Sequence, residues 1–133
     1  MTTPTVEDAL ERIERDGWII LPDVLPAALV AELVGAVERT TDRLGTGFGG
    51  NVFLGEHTRR VFNLLSHDPV FGVLPIHRRV LEIAERVLDD DLLLSSLTAV
   101  ETHPGQGAQP LHADDGSIPL ARPHQPLALL ALW

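Results

Sequence analysis

The residues best suited to chemistry are a histidine and an aspartate two positions apart, His112 and Asp114, in the stretch LHADD. In a β-strand, residues i and i+2 lie on the same face, so an imidazole nitrogen and a carboxylate oxygen would project side by side. Such a pair is two thirds of the 2-His-1-carboxylate triad, which binds iron(II) and leaves three coordination positions open. A motif this short also arises by chance, and the alternative is a surface histidine followed by an aspartate that caps a loop.

The composition of the chain limits which other chemistry is available. The 133 residues include 19 Asp and Glu, 10 Lys and Arg and no cysteine, for a formal net charge of -9. An acidic chain repels phosphate groups, so no nucleic-acid partner is expected. Without thiolates, any metal must be held by imidazole and carboxylate. Neither a signal peptide nor an unbroken membrane-spanning run is visible, which predicts a cytoplasmic protein with no membrane partner.

Three helices precede this pair in the predicted order of elements. A capping box formed by Thr5 and Asp8, with Gly17 at the other end, predicts the first helix. Pro26 opens the second, which runs to about residue 41 because apolar residues recur on one face. The same periodicity predicts a third helix over residues 75–88.

Strands are expected mainly in the last third of the chain. Alternating or continuous apolar runs predict them, and residues 110–114 are expected to be extended; the runs are residues 18–21, 60–65, 92–101 and 127–133. The glycine-rich residues 45–50 lack the lysine of a phosphate-binding loop and are predicted to be a flexible loop. The three aspartates of residues 89–91 are predicted to form a solvated turn. This order predicts one α+β domain, residues 1–133, with helices packed on one side of a largely antiparallel sheet.

The surroundings of LHADD are similar to those of a known family. The stretches DGWIILPDVLPAALVAEL, RVFNLLSHDPVF and PGQGAQPLHADDGSIPLARPHQPLALLALW resemble the phytanoyl-CoA dioxygenase family of iron(II)- and 2-oxoglutarate-dependent oxygenases. The resemblance runs from about residue 15 to residue 133. It implies an incomplete double-stranded β-helix of the jelly-roll or cupin-like type, fronted by helices. It also implies oxidative decarboxylation of 2-oxoglutarate coupled to hydroxylation of a small-molecule substrate.

The resemblance assigns roles to six residues. The iron(II) ligands that it implies are His112 and Asp114. It places four further residues around the 2-oxoglutarate co-substrate: Arg60, Thr98, Gln109 and Trp133. A guanidinium suits a dicarboxylate, although an ordinary solvated arginine is the alternative for Arg60, as plain core is for Trp133. Asp115 is expected to hold the loop or to orient a ligand.

The chain departs from the family's pattern beyond Trp133. The family's second iron-binding histidine and its 2-oxoglutarate-anchoring arginine have no counterpart here, and His124 would reach the metal only by an unusual fold-back. The other histidines are expected to be solvated, in turns or on helical surface. We therefore expect an N-terminal portion of such an enzyme, inactive or incomplete by itself. The alternatives are a non-enzymatic remnant, a homodimer that pairs through the exposed edge of residues 127–133, and a zinc protein that uses the same two ligands.

Overall fold

The structure, a computed structural model, describes residues 4–133 except for the side chain of Ser117. These residues form two compact units. Unit 1 comprises residues 4–26, Val73–Leu93 and Asp114–Trp133, and unit 2 comprises Ala27–Gly72 and Leu94–Ala113. Each unit is assembled from separate parts of the chain, so residues distant in sequence meet within it.

Unit 1 contains two α-helices, α1 (Val6–Asp16) and α3 (Arg78–Val87), which pack against each other. The predicted capping box of α1 is confirmed: Asp8 N donates to Thr5 Oγ1 at 3.1 Å, and Thr5 N donates to Asp8 Oδ2 at 2.8 Å. These bonds satisfy N–H groups that a helix N-terminus leaves without intrahelical acceptors. Gly17 ends the helix in the left-handed conformation, at φ 82°.

Unit 2 contains the helix α2 (Ala27–Leu44) and a two-stranded sheet. Strands β1 (Thr58–Val61) and β2 (Ala99–Thr102) are antiparallel, with Arg60 opposite Val100 and Val61 opposite Ala99. Helix α2 packs on β1. The core of this unit is formed by apolar side chains from the helix, the strand and the segment after it, namely Leu33, Ala36, Val61, Leu64 and Phe71.

The α+β prediction is confirmed at a coarse level, by three α-helices and two antiparallel strands within the described residues. The predicted β-content was too high. Residues 18–21, 92–98 and 127–133 form no strand in this part of the chain, and the strand predicted at residues 60–65 is β1, followed by a 3-10 turn over Leu64–Ser66. A two-stranded sheet is much smaller than a double-stranded β-helix, which is therefore not confirmed.

The third helix begins at Arg78 rather than at residue 75. His77 adopts an extended conformation at its N-cap position, and residues 69–73 form a 3-10 turn just before it. Apolar periodicity predicted the helix but could not locate this turn. The acidic residues 89–91 form an exposed turn, as predicted.

None of the helices within residues 4–133 combines the length and the apolar character needed to cross a bilayer.

Candidate active site

Three of the predicted site residues meet at one short segment of unit 2, Phe53 and Leu54. The ring of His112 lies 5.3 Å from that of Phe53, centroid to centroid. The side-chain amide of Gln109 donates to the carbonyl oxygen of Phe53 at 2.5 Å. Arg60 Nε donates to the carbonyl oxygen of Leu54 at 3.1 Å. The 53–54 segment therefore brings His112, Gln109 and Arg60 together, although they span more than fifty sequence positions.

Sequence reasoning missed this segment because no element was predicted between residues 50 and 60. The segment is held by a turn in which Leu54 N donates to Asn51 Oδ1 at 2.8 Å and Gly55 N donates to Asn51 O at 2.9 Å. Asparagine commonly closes a turn through its own side chain. The asparagine at the end of the glycine-rich stretch was the available signal.

Glycines allow the backbone to approach closely around this turn. Gly55 has φ +92°, and a Cβ added there would lie 2.7 Å from Thr58 Cβ. A Cβ on Gly49 would lie 2.6 Å from the carbonyl oxygen of Gly55. Gly49 N donates to Thr58 O at 2.9 Å, and Phe48 forms a β-bridge with Arg59. The glycine-rich stretch was predicted to be a flexible loop, but it is tied to β1 by backbone hydrogen bonds.

A small cavity of about 120 Å³, here called the Arg60 cavity, lies beside this turn. Its walls come from the glycine-rich stretch, the 53–54 segment and β1: Gly47, Gly49, Leu54, Thr58, Arg60 and Phe62. Among the described residues that line this cavity, Arg60 alone is charged. The hydrogen bond from Nε to Leu54 O fixes the orientation of the guanidinium plane. The two terminal nitrogens make no hydrogen bond to the described part of the protein. A guanidinium fixed in this way can bind a carboxylate through two parallel hydrogen bonds.

Thr98 lines a second and larger cavity of unit 2, of about 390 Å³. It directly precedes β2, and Phe62 directly follows β1. The Phe62 side chain lines both this cavity and the Arg60 cavity. Thr98 and Arg60 therefore border two neighbouring cavities that share one wall.

The imidazole of His112 is oriented by its own backbone neighbour. Nδ1 lies 2.8 Å from the carbonyl oxygen of Pro110. A carbonyl oxygen only accepts hydrogen bonds, so the hydrogen lies on Nδ1 and, in the neutral ring, the lone pair lies on Nε2. Metal-binding histidines commonly donate their second N–H to a backbone carbonyl, which fixes the tautomer and the ring. His112 therefore fits the requirements of a metal ligand that coordinates through Nε2.

Asp114 begins a 3-10 turn, Asp114–Ser117, rather than continuing a strand. The structure assigns no strand to residues 110–113, so the predicted strand geometry of the His112 and Asp114 pair is not confirmed. The division between the two units falls between Ala113 and Asp114. A strand needs a hydrogen-bonded partner, and no pairing with this stretch occurs among residues 4–133.

Asp115 holds the loop that follows Asp114. Its carboxylate accepts a hydrogen bond from Arg122 and lies 3.3 Å from His124 Nε2. His124 Nδ1 lies 2.8 Å from the carbonyl oxygen of Gln125. Both ring nitrogens of His124 thus face oxygen atoms of unit 1, in agreement with the predicted loop-holding role of Asp115.

Trp133 packs against His77 in unit 1, with ring centroids 5.4 Å apart in an edge-to-face arrangement. The indole remains 43% exposed. His77 Nε2 also lies 3.2 Å from the carbonyl oxygen of Val24. His77 was predicted to be solvated, but its ring is partly buried because it packs between these groups. The role of Trp133 beside a co-substrate stays a prediction.

No group of three or more His, Asp or Glu side chains within the described residues is arranged to hold a metal ion. The roles of His112 and Asp114 as metal ligands stay predictions.

The described residues have an α+β composition, and in unit 2 His112, Gln109 and Arg60 meet at the 53–54 segment beside a small cavity. The sequence model of the family described as Phytanoyl-CoA dioxygenase (PhyH) matches residues 13–133. The chain therefore belongs to the phytanoyl-CoA dioxygenase family.

Two curated relatives carry dioxygenase names. Dioxygenase swnH2 of Arthroderma benhamiae is 26% identical to this chain over an alignment that covers 85% of the chain and 41% of that protein. Dioxygenase af480 of Aspergillus fumigatus is 29% identical, and the alignment covers 87% of the chain and 39% of that protein. The chain thus spans about two fifths of the length of these relatives. No solved structure matches it.

Proposed function

We propose that this chain contributes part of the active site of an iron(II)- and 2-oxoglutarate-dependent dioxygenase that hydroxylates a small molecule. The main observation behind the proposal is that three of the predicted site residues contact the 53–54 segment. It contacts His112, whose Nδ1 hydrogen bond to Pro110 O suits a metal ligand, and it accepts hydrogen bonds from Gln109 and Arg60. Family membership and the dioxygenase names of two relatives support the reaction class.

His112 and Asp114 would hold the iron, through Nε2 and a carboxylate oxygen. When bound, iron(II) would allow dioxygen to react with both substrates: one oxygen atom would pass to 2-oxoglutarate, which becomes succinate and CO2, and the other would be inserted into a C–H bond of the small molecule. The two protein ligands provide one neutral and one anionic donor, a set that suits iron(II). The hydrogen bond to Pro110 O keeps the His112 ring from rotating.

Arg60, Gln109, Thr98 and Trp133 would shape the co-substrate pocket. Arg60 provides the positive charge for a carboxylate, and its Nε bond to Leu54 O fixes the direction in which the terminal nitrogens point. Gln109 ties the stretch that precedes His112 to Phe53, so that the histidine and the Arg60 cavity stay together. Thr98 offers a hydroxyl on the far side of Phe62.

This chain alone supplies two of the three ligands that the proposed triad requires. We propose that it binds iron(II) weakly and turns over little or no 2-oxoglutarate. Decarboxylation of 2-oxoglutarate by the 133-residue chain, abolished in His112→Ala, would contradict this part of the proposal.

The metal ligands are tested by anaerobic calorimetric titration of the 133-residue chain with iron(II). His112→Ala should weaken binding by about tenfold or more, since loss of even an outer-shell partner costs about 10- to 100-fold in metal affinity. Asp114→Asn should weaken it similarly. The matched control is His67→Ala, which removes an imidazole that no predicted site residue contacts. Equal affinity in His112→Ala and His67→Ala would contradict the ligand assignment. Repetition with zinc tests the alternative of a zinc protein.

A second candidate function is self-association through residues 127–133. Leu130 is 70% exposed and Leu132 is 87% exposed, and adjacent apolar side chains in contact with water favour association. Sedimentation equilibrium should then show a dimer in the parent chain and a monomer in Leu132→Glu. A monomeric parent chain would exclude this candidate.

A further inference from the structure

None of the described residues that line the larger cavity of unit 2 is charged. Most of its wall is apolar and comes from the segments that follow β1 and precede β2: Phe62, Leu65, Leu94 and Leu97. The two walls are joined by a hydrogen bond from Leu64 N to Leu97 O at 3.0 Å. Its volume of about 390 Å³ falls within the range of about 300–1,000 Å³ that is typical of small-molecule sites.

The remaining wall is polar but uncharged. It consists of one amide and three hydroxyl side chains: Asn63, Ser95, Ser96 and Thr98. None of these side-chain groups makes a hydrogen bond elsewhere within residues 4–133. Asn63 has φ 54°, a conformation that asparagine adopts more readily than most residues. Amides and hydroxyls both donate and accept, so they suit a neutral hydroxyl or carbonyl group.

The neighbouring Arg60 cavity has the opposite character. It is smaller, at about 120 Å³, and contains a guanidinium. An anion in the Arg60 cavity gains a charged partner, whereas an anion in the larger cavity would lose hydration without gaining one. Phe62, which is 60% exposed, separates the two environments.

We infer that the larger cavity binds a neutral, mainly apolar molecule that carries a hydroxyl or carbonyl group. Under the proposed function this molecule is the substrate to be hydroxylated, and the anionic co-substrate occupies the Arg60 side. The substrate role rests on the proposed function, whereas binding of a neutral molecule does not. A polyanionic acyl-CoA would not place its charged part in this cavity.

Binding is tested on the metal-free 133-residue chain with two probes of equal carbon number, 1-hexanol and hexanoate. Each is titrated at neutral pH while backbone amides are followed by two-dimensional NMR. Hexanol should shift the amides of residues 62–65 and 94–98 in a saturable way. Hexanoate should bind at these amides with a dissociation constant at least about tenfold higher, because its charge has no partner there.

Matched variants place one carboxylate inside or outside the cavity. Ser96→Asp should weaken hexanol binding by about tenfold, since it puts a charge without a partner into the otherwise uncharged cavity lining. Thr102→Asp is the control, because Thr102 is exposed and lines neither cavity. The same spectra report whether each variant folds, and Ser95→Asp repeats the test if Ser96→Asp does not.

Three results would overturn the inference: no saturable hexanol binding, equal or tighter binding of hexanoate, or shifts confined to other residues. The test is independent of the proposed function. Loss of hexanol binding with iron(II) binding at His112 intact would contradict this inference alone. Hexanol binding without any iron(II) binding would contradict the proposed function alone.

Discussion

Residues 60–65 and residues 127–133 are both rich in apolar residues, and both were predicted to be strands. Only the first stretch contributes to a strand, β1, to which it supplies Arg60 and Val61. Its backbone pairs with β2 in a defined register, and Val61 is buried. Residues 127–133 have no ladder partner within the described chain, and Leu130 and Leu132 are mostly exposed. Apolar composition favours a strand, but hydrogen-bonded pairing with a second strand forms it.

The difference determines how firmly each predicted site residue is held. The backbone of Arg60 is fixed because it pairs with β2, and its side chain is fixed because Nε donates a hydrogen bond to Leu54 O. Trp133 contacts His77 through one pair of rings and keeps 43% of its surface exposed. The Arg60 side of the site is therefore defined by this fold far more closely than the surroundings of Trp133.

The largest difference in stability between the two segments is expected when a charge is introduced into each of them. Val61→Glu should destabilise the protein by about 4 kcal/mol or more, because it buries a carboxylate without a partner. The same change at the other segment, Leu132→Glu, should alter the free energy of unfolding by less than about 0.5 kcal/mol, as is usual for exposed positions. Urea unfolding followed by circular dichroism measures both. Equal destabilisation would show that residues 127–133 are as well packed as β1.

A smaller effect is expected at the turn that supports the site. Gly55→Ala should cost about 1–3 kcal/mol, since alanine is strained at φ +92° and its Cβ would lie 2.7 Å from Thr58 Cβ. Gly50→Ala is the matched control: it has open space around it and no positive φ. Chemical denaturation of the two variants makes the comparison. Equal stability of Gly55→Ala and Gly50→Ala would contradict the tight turn described at Gly55, beside the Arg60 cavity.

The smallest effect is expected in unit 1, at the start of α1. The hydrogen bond from the Thr5 backbone N–H, and then that from its hydroxyl, lower the pKa of the Asp8 carboxyl. Because the pKa of Asp8 is lower in the folded state, its ionised carboxyl stabilises the fold at pH values above the unfolded-state pKa. This stabilisation is lost as the pH falls through the folded-state pKa.

Thr5→Ala should therefore lower the Tm by a few degrees at neutral pH, and by less in acid where Asp8 is protonated. Thermal melts at both pH values measure this difference, with Thr46→Ala as the control. A deficit that stayed constant with pH would indicate that the hydrogen bond from the Thr5 hydroxyl to the Asp8 carboxylate contributes nothing.

Local signals in the sequence predicted the helices well. The capping box at Thr5 and the glycine after α1 specify that helix through neighbouring residues, so no tertiary contact is needed to recognise it. Strand prediction was less successful because it depends on partners: residues 92–98 have a strand-like pattern, yet β2 begins only at Ala99, where pairing with β1 begins.

By itself the sequence determined the acidic, cysteine-free composition, the capped first helix, and the His112 and Asp114 pair in a family-like setting. Those properties follow from residue type and short spacing. Only the tertiary structure decided that Phe53 and Leu54 gather His112, Gln109 and Arg60, and that Phe62 separates a cationic cavity from a neutral one. Contacts across fifty positions depend on where the chain turns and which strands pair, and these are settled by the packing of the whole unit rather than by any local pattern.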